Sequence, residues 1–471
     1  MSASCSPSAL VDVPAPSALV PAGSVATPAG AQEMYAFSVS QFAIAFGGGD
    51  GTNVGVDSYV SASGLLTDEL MRTGARLTSP IVPTVQLTID ERTMNSTQPG
   101  GSAGLYDQLQ RARVEARQAR EALTKYAPGT PKALQARLFA HEGYTLVMFA
   151  ELFCSGIPLS TVPIDGDPIP ARGYSTDELF SIAGTLFDSA MALGADSARF
   201  VNLARIGKAR ALIGGGPANF AAAAAIAAAV PTDFVYDAEF NAGVARGANW
   251  IASNPWIYSA AGGESINGLN WIADPRTGVP KGRGVYGVGL PAKYSRNASG
   301  VLDPSVPWPN NPIPLASGVG ARLIEAEAAL AGGNVAAWLN GLNALRGACT
   351  GTAACAPVPS ILATQLPPLT DPGTNPDPYA RLKLMMKERA MWLFLTGHRE
   401  GDMRRMVRWY PLAFDINSVW PAGEYVNAGT ANAYTATNTN NTSYGPDVVL
   451  VPNPNERLTN SLYQGCVSVA P

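Results

Sequence analysis

The feature that most constrains the fold of this 471-residue chain is a short pattern that occurs twice. The run LIGG at 212–215 is followed by Phe220, and the run LAGG at 330–333 is followed by Trp338. Glycine permits a tight turn, and small flanking residues let two helices approach closely. Each occurrence therefore predicts a helix, a glycine turn and a second helix whose aromatic residue fills the space between the two.

Other parts of the chain predict further helical pairs. Residues 105–150 predict one pair, and residues 380–395 and 399–410 predict another with a hinge at Gly397. Repeated helical hairpins are typical of tetratricopeptide-like scaffolds. The sequence thus predicts a mainly α fold, in which the helical scaffold covers about 31–72, 104–230 and 320–410.

Three irregular insertions interrupt this scaffold, at about 73–103, 231–320 and 411–471. They are rich in Gly, Pro, Asn and Thr, and they carry many of the tryptophans and tyrosines. Long loops held by a rigid scaffold often carry binding sites. We expect residues 31–471 to form a single domain, residues 1–30 to form a flexible tether, and the insertions to form the ligand face.

Composition excludes several classes of function. The chain has 32 Lys+Arg against 36 Asp+Glu, a net charge of −4, which argues against nucleic-acid binding. It has only two histidines, and His141 on an apolar helix is expected to be a core residue, so histidine-based catalysis and metal binding are not expected. The run GGGDGT at 47–52 lacks the ending of a phosphate-binding loop. We predict no catalytic residue, no cofactor and no metal site, although an oxygen-ligated Ca²⁺ in the Asn- and Asp-bearing loops stays open.

The cysteines indicate an oxidising compartment. Cys349 and Cys355 enclose five small residues, which predicts a disulfide, because a zinc site would need two further ligands nearby. Cys154 and Cys466 either form a long-range disulfide or remain as two buried thiols. Low charge and candidate disulfides together favour a location outside the cytosol.

Cys5 indicates a lipid anchor. Small residues precede it, and a stretch of Ser, Ala, Val and Pro follows it to about Gly30. This arrangement is similar to the end of a bacterial lipoprotein signal, although Ser2 stands where a leucine is usual. We expect lipidation of Cys5, and the alternative is a free thiol in a flexible terminus. No run of 18 apolar residues occurs, so we expect membrane attachment through lipid only.

Charged residues at helical spacings flank the hinge at Gly397. Because arginine donates two hydrogen bonds to a carboxylate, they predict an ion-pair network that locks two helices together, with a ligand site as the alternative. His398 is expected to join this network by hydrogen bonding. The charged residues are Glu388, Arg389, Arg399, Asp402 and Arg405.

Several segments, taken in order, resemble motifs of the SusD/RagB family of outer-membrane nutrient-binding lipoproteins. Each is weak by itself, but together they follow the order of the family over about 31–460. They are ARLFAH at 136–141 with GIPL at 156–159, GKARAL at 207–212, DPR at 274–276 with Lys293 and Tyr294, RLIEAEA at 322–328 with LNALR at 342–346, the run from Glu388 to Arg405, and VPNPNE at 451–456.

This resemblance implies a SusD-like fold and a function in binding. A family member would lie on the cell-surface side of the outer membrane, held by a lipid anchor. It would capture oligosaccharides or peptides and deliver them to a TonB-dependent β-barrel transporter of the SusC type, without catalysis. Two alternatives remain open at this point: a tetratricopeptide-like structural or assembly protein of the cell surface, and a hydrolase on the same scaffold.

Aromatic residues in the insertions are the candidate ligand contacts. Flat rings of Trp and Tyr can stack on the C–H faces of sugars, and Asn and Arg can bind hydroxyl groups. The alternative for each aromatic residue is packing within its insertion or in the core. The candidates are Trp250, Trp256, Tyr258 and Trp271 in the middle insertion, and Arg92 and Asn95 in the first insertion.

Overall fold

The computed structural model describes residues 26–48, 58–72, 85–94, 100–243, 247–253, 258–260, 269–271, 274, 276–277, 310–348, 366–420, 422 and 444–471. Helices dominate this part of the chain, as the sequence predicts. The helices are α1 (Pro28–Gly47), α2 (Tyr59–Leu66), α3 (Val85–Asp90), α4 (Gly100–Tyr126), α5 (Lys132–Leu152), α6 (Thr176–Leu193), α7 (Ala198–Gly214), α8 (Phe220–Ala227), α9 (Trp250–Ser253), α10 (Gly318–Ala331), α11 (Val335–Ala348), α12 (Ala380–Trp392), α13 (Arg399–Trp409), α14 (Ile416–Val419) and α15 (Glu456–Thr459).

Both predicted glycine hairpins are confirmed. Helices α7 and α8 meet through a turn in which Gly216 has a φ of +110°, and Phe220 is 3% exposed. Helices α10 and α11 meet through a turn at Gly333, and Trp338 is fully buried between the hairpin and Met385 of α12. The two aromatic side chains therefore fill the interior of their hairpins.

The hairpins pack side by side to form a continuous scaffold. Helix α5 packs on α4 and α6, α6 packs on α7, and α8 packs on α10. Ser175 and Glu178 form a reciprocal cap that starts α6. Close helix contact depends on small residues, because a Cβ atom at Gly207 of α7 would lie 2.3 Å from the ring of Phe187 in α6.

Short antiparallel strands close the scaffold locally. The strands are β1 (Leu70–Arg72), β2 (Ile157–Pro158), β3 (Gly173–Tyr174), β4 (Val235–Ala238), β5 (Tyr258–Ala260) and β6 (Ile313–Ser317). β1 pairs with β5, β2 pairs with β3, and β4 pairs with β6. Because β4 and β6 flank the middle insertion, their pairing brings its two ends together.

Two boundaries differ from the sequence prediction. The first part of the helical scaffold, predicted to reach about residue 72, ends with α2 at Leu66, because Asp68 adopts a φ of +54° and the chain continues as β1. The later part of the predicted tail insertion packs on the scaffold: Leu450 exchanges backbone hydrogen bonds with Leu152 and Cys154. This part of the tail therefore supports the scaffold.

A disulfide joins Cys154 to Cys466 and fixes the end of the chain to the C-terminal end of α5. Of the two alternatives left open by the sequence, the structure thus selects the long-range pair. The predicted disulfide of Cys349 and Cys355 and the predicted lipidation site Cys5 lie outside the described residues. Within the described ranges, no helix combines the length and the hydropathy that a bilayer span requires.

Candidate ligand-binding face and its support

Three of the five charged residues predicted to lock the Gly397 hinge, Arg389, Asp402 and Arg405, form an ion-pair network. Arg389 of α12 donates to both carboxylate oxygens of Asp402 in α13, at 2.8 and 2.9 Å. Arg405 donates to Asp402 and to Glu327 of α10. Burial would raise the pKa of Asp402, but the two guanidinium groups outweigh it and lower that pKa. The network joins three helices, so it acts as a structural lock.

Glu388 belongs to a second buried cluster that connects the scaffold to the middle insertion. Its carboxylate accepts from Arg276 at 2.6 Å and from Arg346 of α11 at 2.8 Å. Asp274 holds the other side of the Arg276 guanidinium. The DPR motif at 274–276 is therefore the point at which α12 anchors the insertion, a role that the sequence analysis did not assign.

Arg210 of α7 is the centre of a third buried cluster. Its guanidinium donates to Glu151 of α5 at 2.8 Å, to the hydroxyl of Tyr59 at 3.0 Å and to the carbonyl of Gly397 at 2.6 Å. His398 accepts from the same guanidinium, and burial next to Arg210 lowers the pKa of His398 well below its usual value. His398 thus forms hydrogen bonds, as expected, but its partners are Arg210 and Thr396 rather than Arg389, Asp402 or Arg405.

Residues 68–72, just before the first predicted insertion, lie together with residues from within all three insertions; we call this group the insertion base (68–72, 91–94, 258–260, 269–271 and 444–447). In β1 and β5, Leu70 lies opposite Ala260. The indole of Trp271 donates to the carbonyl of Asp68 at 2.8 Å, and the hydroxyl of Tyr444 donates to the carboxylate of Asp68 at 3.1 Å. Asp68, which precedes the first insertion, thus contacts residues of both the middle and the tail insertion.

The backbone near Tyr444 completes the insertion base. The amide of Gly445 donates to the carbonyl of Glu91, and the amide of Asp447 donates to the carbonyl of Arg92. The Arg92 guanidinium lies 5.4 Å from the centre of the Tyr444 ring, a cation–π distance. Gly445 is required at this position, because a Cβ atom would lie 2.1 Å from the Arg92 carbonyl oxygen.

The structure does not support a ligand contact for two of the predicted residues. Trp271 has no exposed surface, and its ring centre lies 4.8 Å from that of Phe394. Arg92 is only 3% exposed and packs in the insertion base. Both side chains attach the insertions to the scaffold, so they have no surface to offer a ligand.

The other predicted ligand residues have mixed outcomes. Trp250 begins α9 and is partly buried against the main core. The backbone of Tyr258 lies in β5, opposite Arg72. Trp256 and Asn95 lie outside the described residues. A ligand contact for Trp250, Trp256, Tyr258 and Asn95 stays a prediction.

Glu400 is a fully buried carboxyl group beneath the insertion base. It accepts a hydrogen bond from the indole of Trp420 at 3.0 Å. Burial raises its pKa to about 8, although Trp420, Arg404 and Arg92 oppose the rise. Near neutral pH the group is therefore mainly protonated.

Replacing Glu400 with glutamine is expected to flatten the dependence of stability on pH. A raised pKa means that folded Glu400 retains its proton between the usual pKa of 4.5 and about 8, whereas the unfolded chain releases it. Stability of the unchanged protein should therefore fall as the pH rises through this window, by up to about 1.4 kcal/mol per pH unit. Urea denaturation at pH 5, 6, 7, 8 and 9 measures the difference, and parallel curves for the two proteins would contradict the assignment.

A pocket of about 700 Å³ lies between α12, α13 and residues 413–419, beside Leu269 of the insertion base. Its volume is within the range typical of small-molecule sites. Phe414 is half-buried at its edge, and Val419 immediately precedes Trp420 at the start of the 421–443 stretch. This pocket could not be predicted from the sequence, because its walls come from four separated segments. Its lining residues are Leu269, Lys383, Leu384, Met386, Lys387, Arg399, Met406, Ala413, Phe414, Asp415, Asn417, Ser418 and Val419.

A second pocket of about 600 Å³ lies between α1, α5 and β4. His141 is buried at this pocket, and burial lowers its pKa well below the usual value. Arg137 donates to the hydroxyl of Tyr236 at 2.7 Å, and this hydroxyl lies 3.1 Å from Nε2 of His141. His141 is thus a core residue, as predicted, at the edge of a polar pocket.

Across the described ranges, no three His, Cys, Asp or Glu side chains come close enough together to hold a metal ion. The carboxylates of Glu388 and Asp402 are instead occupied by guanidinium groups.

Solved structures of the SusD superfamily share this fold. Surface glycan-binding protein A from Bacteroides uniformis aligns with a TM-score of 0.60 and 12% identity, over 93% of this chain and 99% of that one. A SusD superfamily protein from Bacteroides thetaiotaomicron VPI-5482 aligns with a TM-score of 0.58 and 12% identity, over 93% and 99% of the two chains. A SusD superfamily protein from Bacteroides vulgatus ATCC 8482 aligns with a TM-score of 0.56 and 14% identity, over 93% of this chain and 98% of that one.

These alignments confirm the predicted fold class: the chain has a mainly helical, SusD-like fold along nearly its whole length. The resemblance seen in the sequence motifs is thereby confirmed at the level of the fold. No protein-family model matches the sequence, and no curated protein matches it.

Proposed function

We propose that this protein is a SusD-like surface glycan-binding protein that captures oligosaccharides for uptake. The observation that carries the proposal is the fold shared, over 93% of this chain, with a surface glycan-binding protein. The insertion base and the adjacent 700 Å³ pocket supply a suitable site, because aromatic, apolar and polar side chains meet there. Peptides remain an alternative ligand class.

The proposed activity is binding without turnover. The buried carboxylates of α12 and α13 are occupied in locking the frame, and Glu400 is sealed beneath the insertion base. A carboxylate that acts as a catalytic group must reach the substrate, which these groups do not in this arrangement. The frame therefore supports capture of a ligand rather than its cleavage.

Delivery and location follow from the same proposal. Cys5 would carry the lipid anchor, the protein would lie on the outer face of the outer membrane, and a SusC-type TonB-dependent transporter would receive the ligand. Metabolic labelling with a radioactive fatty acid tests the anchor, with Cys5→Ala as the control that should lose the label. Affinity purification of the protein from membranes should also recover a large β-barrel protein. If the protein is recovered without a β-barrel protein, the proposed partnership is contradicted.

A binding screen tests the proposed function directly. A soluble form beginning at residue 26 is applied to glycan and peptide arrays, and each hit is measured by calorimetry and assayed for hydrolysis. We expect binding of an oligosaccharide without hydrolysis. Phe414→Ala should weaken binding, because this half-buried ring lines the pocket.

Leu412→Ala is the matched control for Phe414→Ala. Leu412 is 84% exposed and lies only two residues away, but it does not line the pocket. Its removal should leave binding unchanged. Absence of any glycan among the hits, or measurable hydrolysis of one, would contradict the proposed function.

A further inference from the structure

The pocket of about 600 Å³ between α1, α5 and β4 takes no part in the site proposed above. Its volume lies within the range typical of small-molecule sites. Its walls come from α1, from α5, from β4 and the residues that follow β4, and from Asn310. None of these residues lines the 700 Å³ pocket or belongs to the insertion base. It is therefore a separate cavity with its own binding groups.

Arg137 is a half-buried hydrogen-bond donor in this pocket. Its Nε donates to the hydroxyl of Tyr236 at 2.7 Å, and its Nη1 donates to the hydroxyl of Tyr35 at 3.3 Å. Among the residues that the structure describes, its Nη2 has no hydrogen-bond partner and its guanidinium forms no ion pair. The two tyrosines thus hold the guanidinium in place while one of its donors remains available.

Two asparagines add donors of fixed orientation. The Oδ1 of Asn241 accepts from the amide of Gly243 at 2.9 Å, and the Oδ1 of Asn310 accepts from the amide of Ala242 at 2.7 Å. A backbone amide can only donate, so these contacts determine which end of each side chain is the oxygen. The Nδ2 group of each asparagine is therefore a donor, and it bonds no other residue in the described part of the chain.

Glu239 supplies an open acceptor. Its side chain is 68% exposed, and its carboxylate lies 3.7 Å from the guanidinium of Arg199, which is too far for a hydrogen bond. An exposed contact of this kind contributes little and leaves the carboxylate oxygens accessible. Asp237 of β4 adds a second carboxylate to the lining, so the pocket offers acceptors as well as donors.

Apolar side chains complete the lining. Phe42 and Phe240 are buried at the pocket, and Val39 and Ile44 also line it. The ring of Phe42 is stacked on that of His141, with centres 4.1 Å apart, which keeps this aromatic ring in a fixed orientation. Polar groups around an apolar surface match a sugar ring, which has C–H groups on its face and hydroxyls at its edge.

The donors and acceptors of this pocket together select the ligand class. A hydroxyl group both donates and accepts, so a ligand with several hydroxyls can satisfy Arg137, Glu239 and the asparagine amides at once. A ligand carboxylate would face Asp237 and Glu239, whereas an ammonium group would face Arg137, and like charges repel. We propose that this pocket is a second sugar-binding site, which takes a single neutral sugar unit. The inference goes beyond the proposed function, because it assigns a second site with a separate set of side chains.

Saturation-transfer NMR with single sugars tests this site. The full chain is mixed with glucose, galactose or mannose, and the affinity of each sugar that receives saturation is measured by titration. We expect at least one of these neutral sugars to bind. Its uronic acid and its 2-amino derivative are the matched charged ligands, and we expect each of them to bind more weakly by about 3-fold or more.

Two variants assign this binding to the pocket. Ala36→Trp places a large ring at an exposed position of α1 that lines the pocket, so binding should no longer be detected. Glu239→Ala removes the open acceptor and should weaken binding by about 10-fold, the loss expected for one hydrogen bond to a charged group. Both replaced side chains are exposed, so the fold should be kept, and circular dichroism checks this.

Three further variants are the matched controls. Phe37→Trp enlarges the next residue of α1, which is exposed and does not line the pocket. Glu33→Ala removes an exposed glutamate of the same helix that also does not line it. Phe414→Ala alters the 700 Å³ pocket instead. All three should bind the sugar as tightly as the unchanged protein does.

Three results would overturn the inference. If none of the three sugars binds, the second site is rejected, while the glycan array still decides the proposed function independently. If Ala36→Trp or Glu239→Ala binds as before, or if Phe414→Ala loses binding, the sugar lies elsewhere. If a charged derivative binds more tightly than its neutral sugar, the ligand class is wrong.

Discussion

Replacing Arg210 with methionine is expected to lower the free energy of unfolding by about 3–5 kcal/mol. The substitution leaves the Glu151 carboxylate buried without its guanidinium partner, and it removes a donor from the Gly397 carbonyl. Uncompensated buried charge is costly because the interior solvates it poorly. Urea denaturation followed by circular dichroism measures the loss.

Two variants test the cause of this loss. Arg172→Met breaks an arginine–glutamate pair whose side chains are 57% and 42% exposed, so it should cost less than about 1 kcal/mol. The double variant Arg210→Met, Glu151→Met removes both buried charges and should recover much of the stability. If breaking the buried pair and breaking the exposed pair lower the free energy of unfolding equally, Arg210 does not stabilise the fold in the way proposed here.

Gly397→Ala is expected to lower the free energy of unfolding by a similar amount, because the added methyl group would collide with a neighbouring ring. Gly397 has a φ of +72°, and a Cβ atom would lie 2.5 Å from Cε1 of the Tyr59 ring. Tyr59 cannot easily move, since its hydroxyl lies 2.7 Å from both the Glu151 carboxylate and the Gly397 carbonyl and also accepts from Arg210. We expect a loss of about 3 kcal/mol or more, and a larger fraction of insoluble protein on expression.

Gly373→Ala separates the steric cost from the cost of the backbone conformation. Gly373 has a φ of +71°, almost the same as Gly397, but nothing lies within 4 Å of its added Cβ. This control should cost only about 1 kcal/mol. If the two variants lose the same stability, the contact with Tyr59 is not what fixes the hinge.

Local patterns were sufficient to predict the helical hairpins. The turn at 214–216 and the burial of Phe220 and Trp338 follow from glycine and aromatic residues only six positions apart. The lock between Arg389 and Asp402 was predictable for the same reason, because 13 residues separate the partners across one hinge. Short-range geometry limits where such residues can lie.

Long-range contacts could not be predicted in this way. Glu388 pairs with Arg276, which lies 112 residues away in the sequence, and no local spacing indicates that pairing. Trp271 shows the same difficulty, because an indole in a Gly- and Asn-rich stretch has the same local sequence whether it packs inward or faces a ligand. Its burial depends on Phe394 and Asp68, which only the tertiary structure brings close.

The pocket between α12, α13 and residues 413–419 combines both situations. Lys383 and Lys387 are one helical turn apart, so their shared face is visible in the sequence. Phe414 and Leu269 join them only through the packing of α13 and the insertion base. A charged helix face alone is commonly just a solvated surface, and the apolar floor is what makes it a candidate site.

We propose that a rigid helical frame holds a ligand face at the insertion base and its adjacent pocket. Hydrogen–deuterium exchange, with and without the tightest-binding glycan from the array, is the most direct test of this arrangement. We expect slower amide exchange in residues 413–420 and 269–271 on binding, with no change in the α6–α7 hairpin. Protection confined to that hairpin, with none around the pocket, would contradict it.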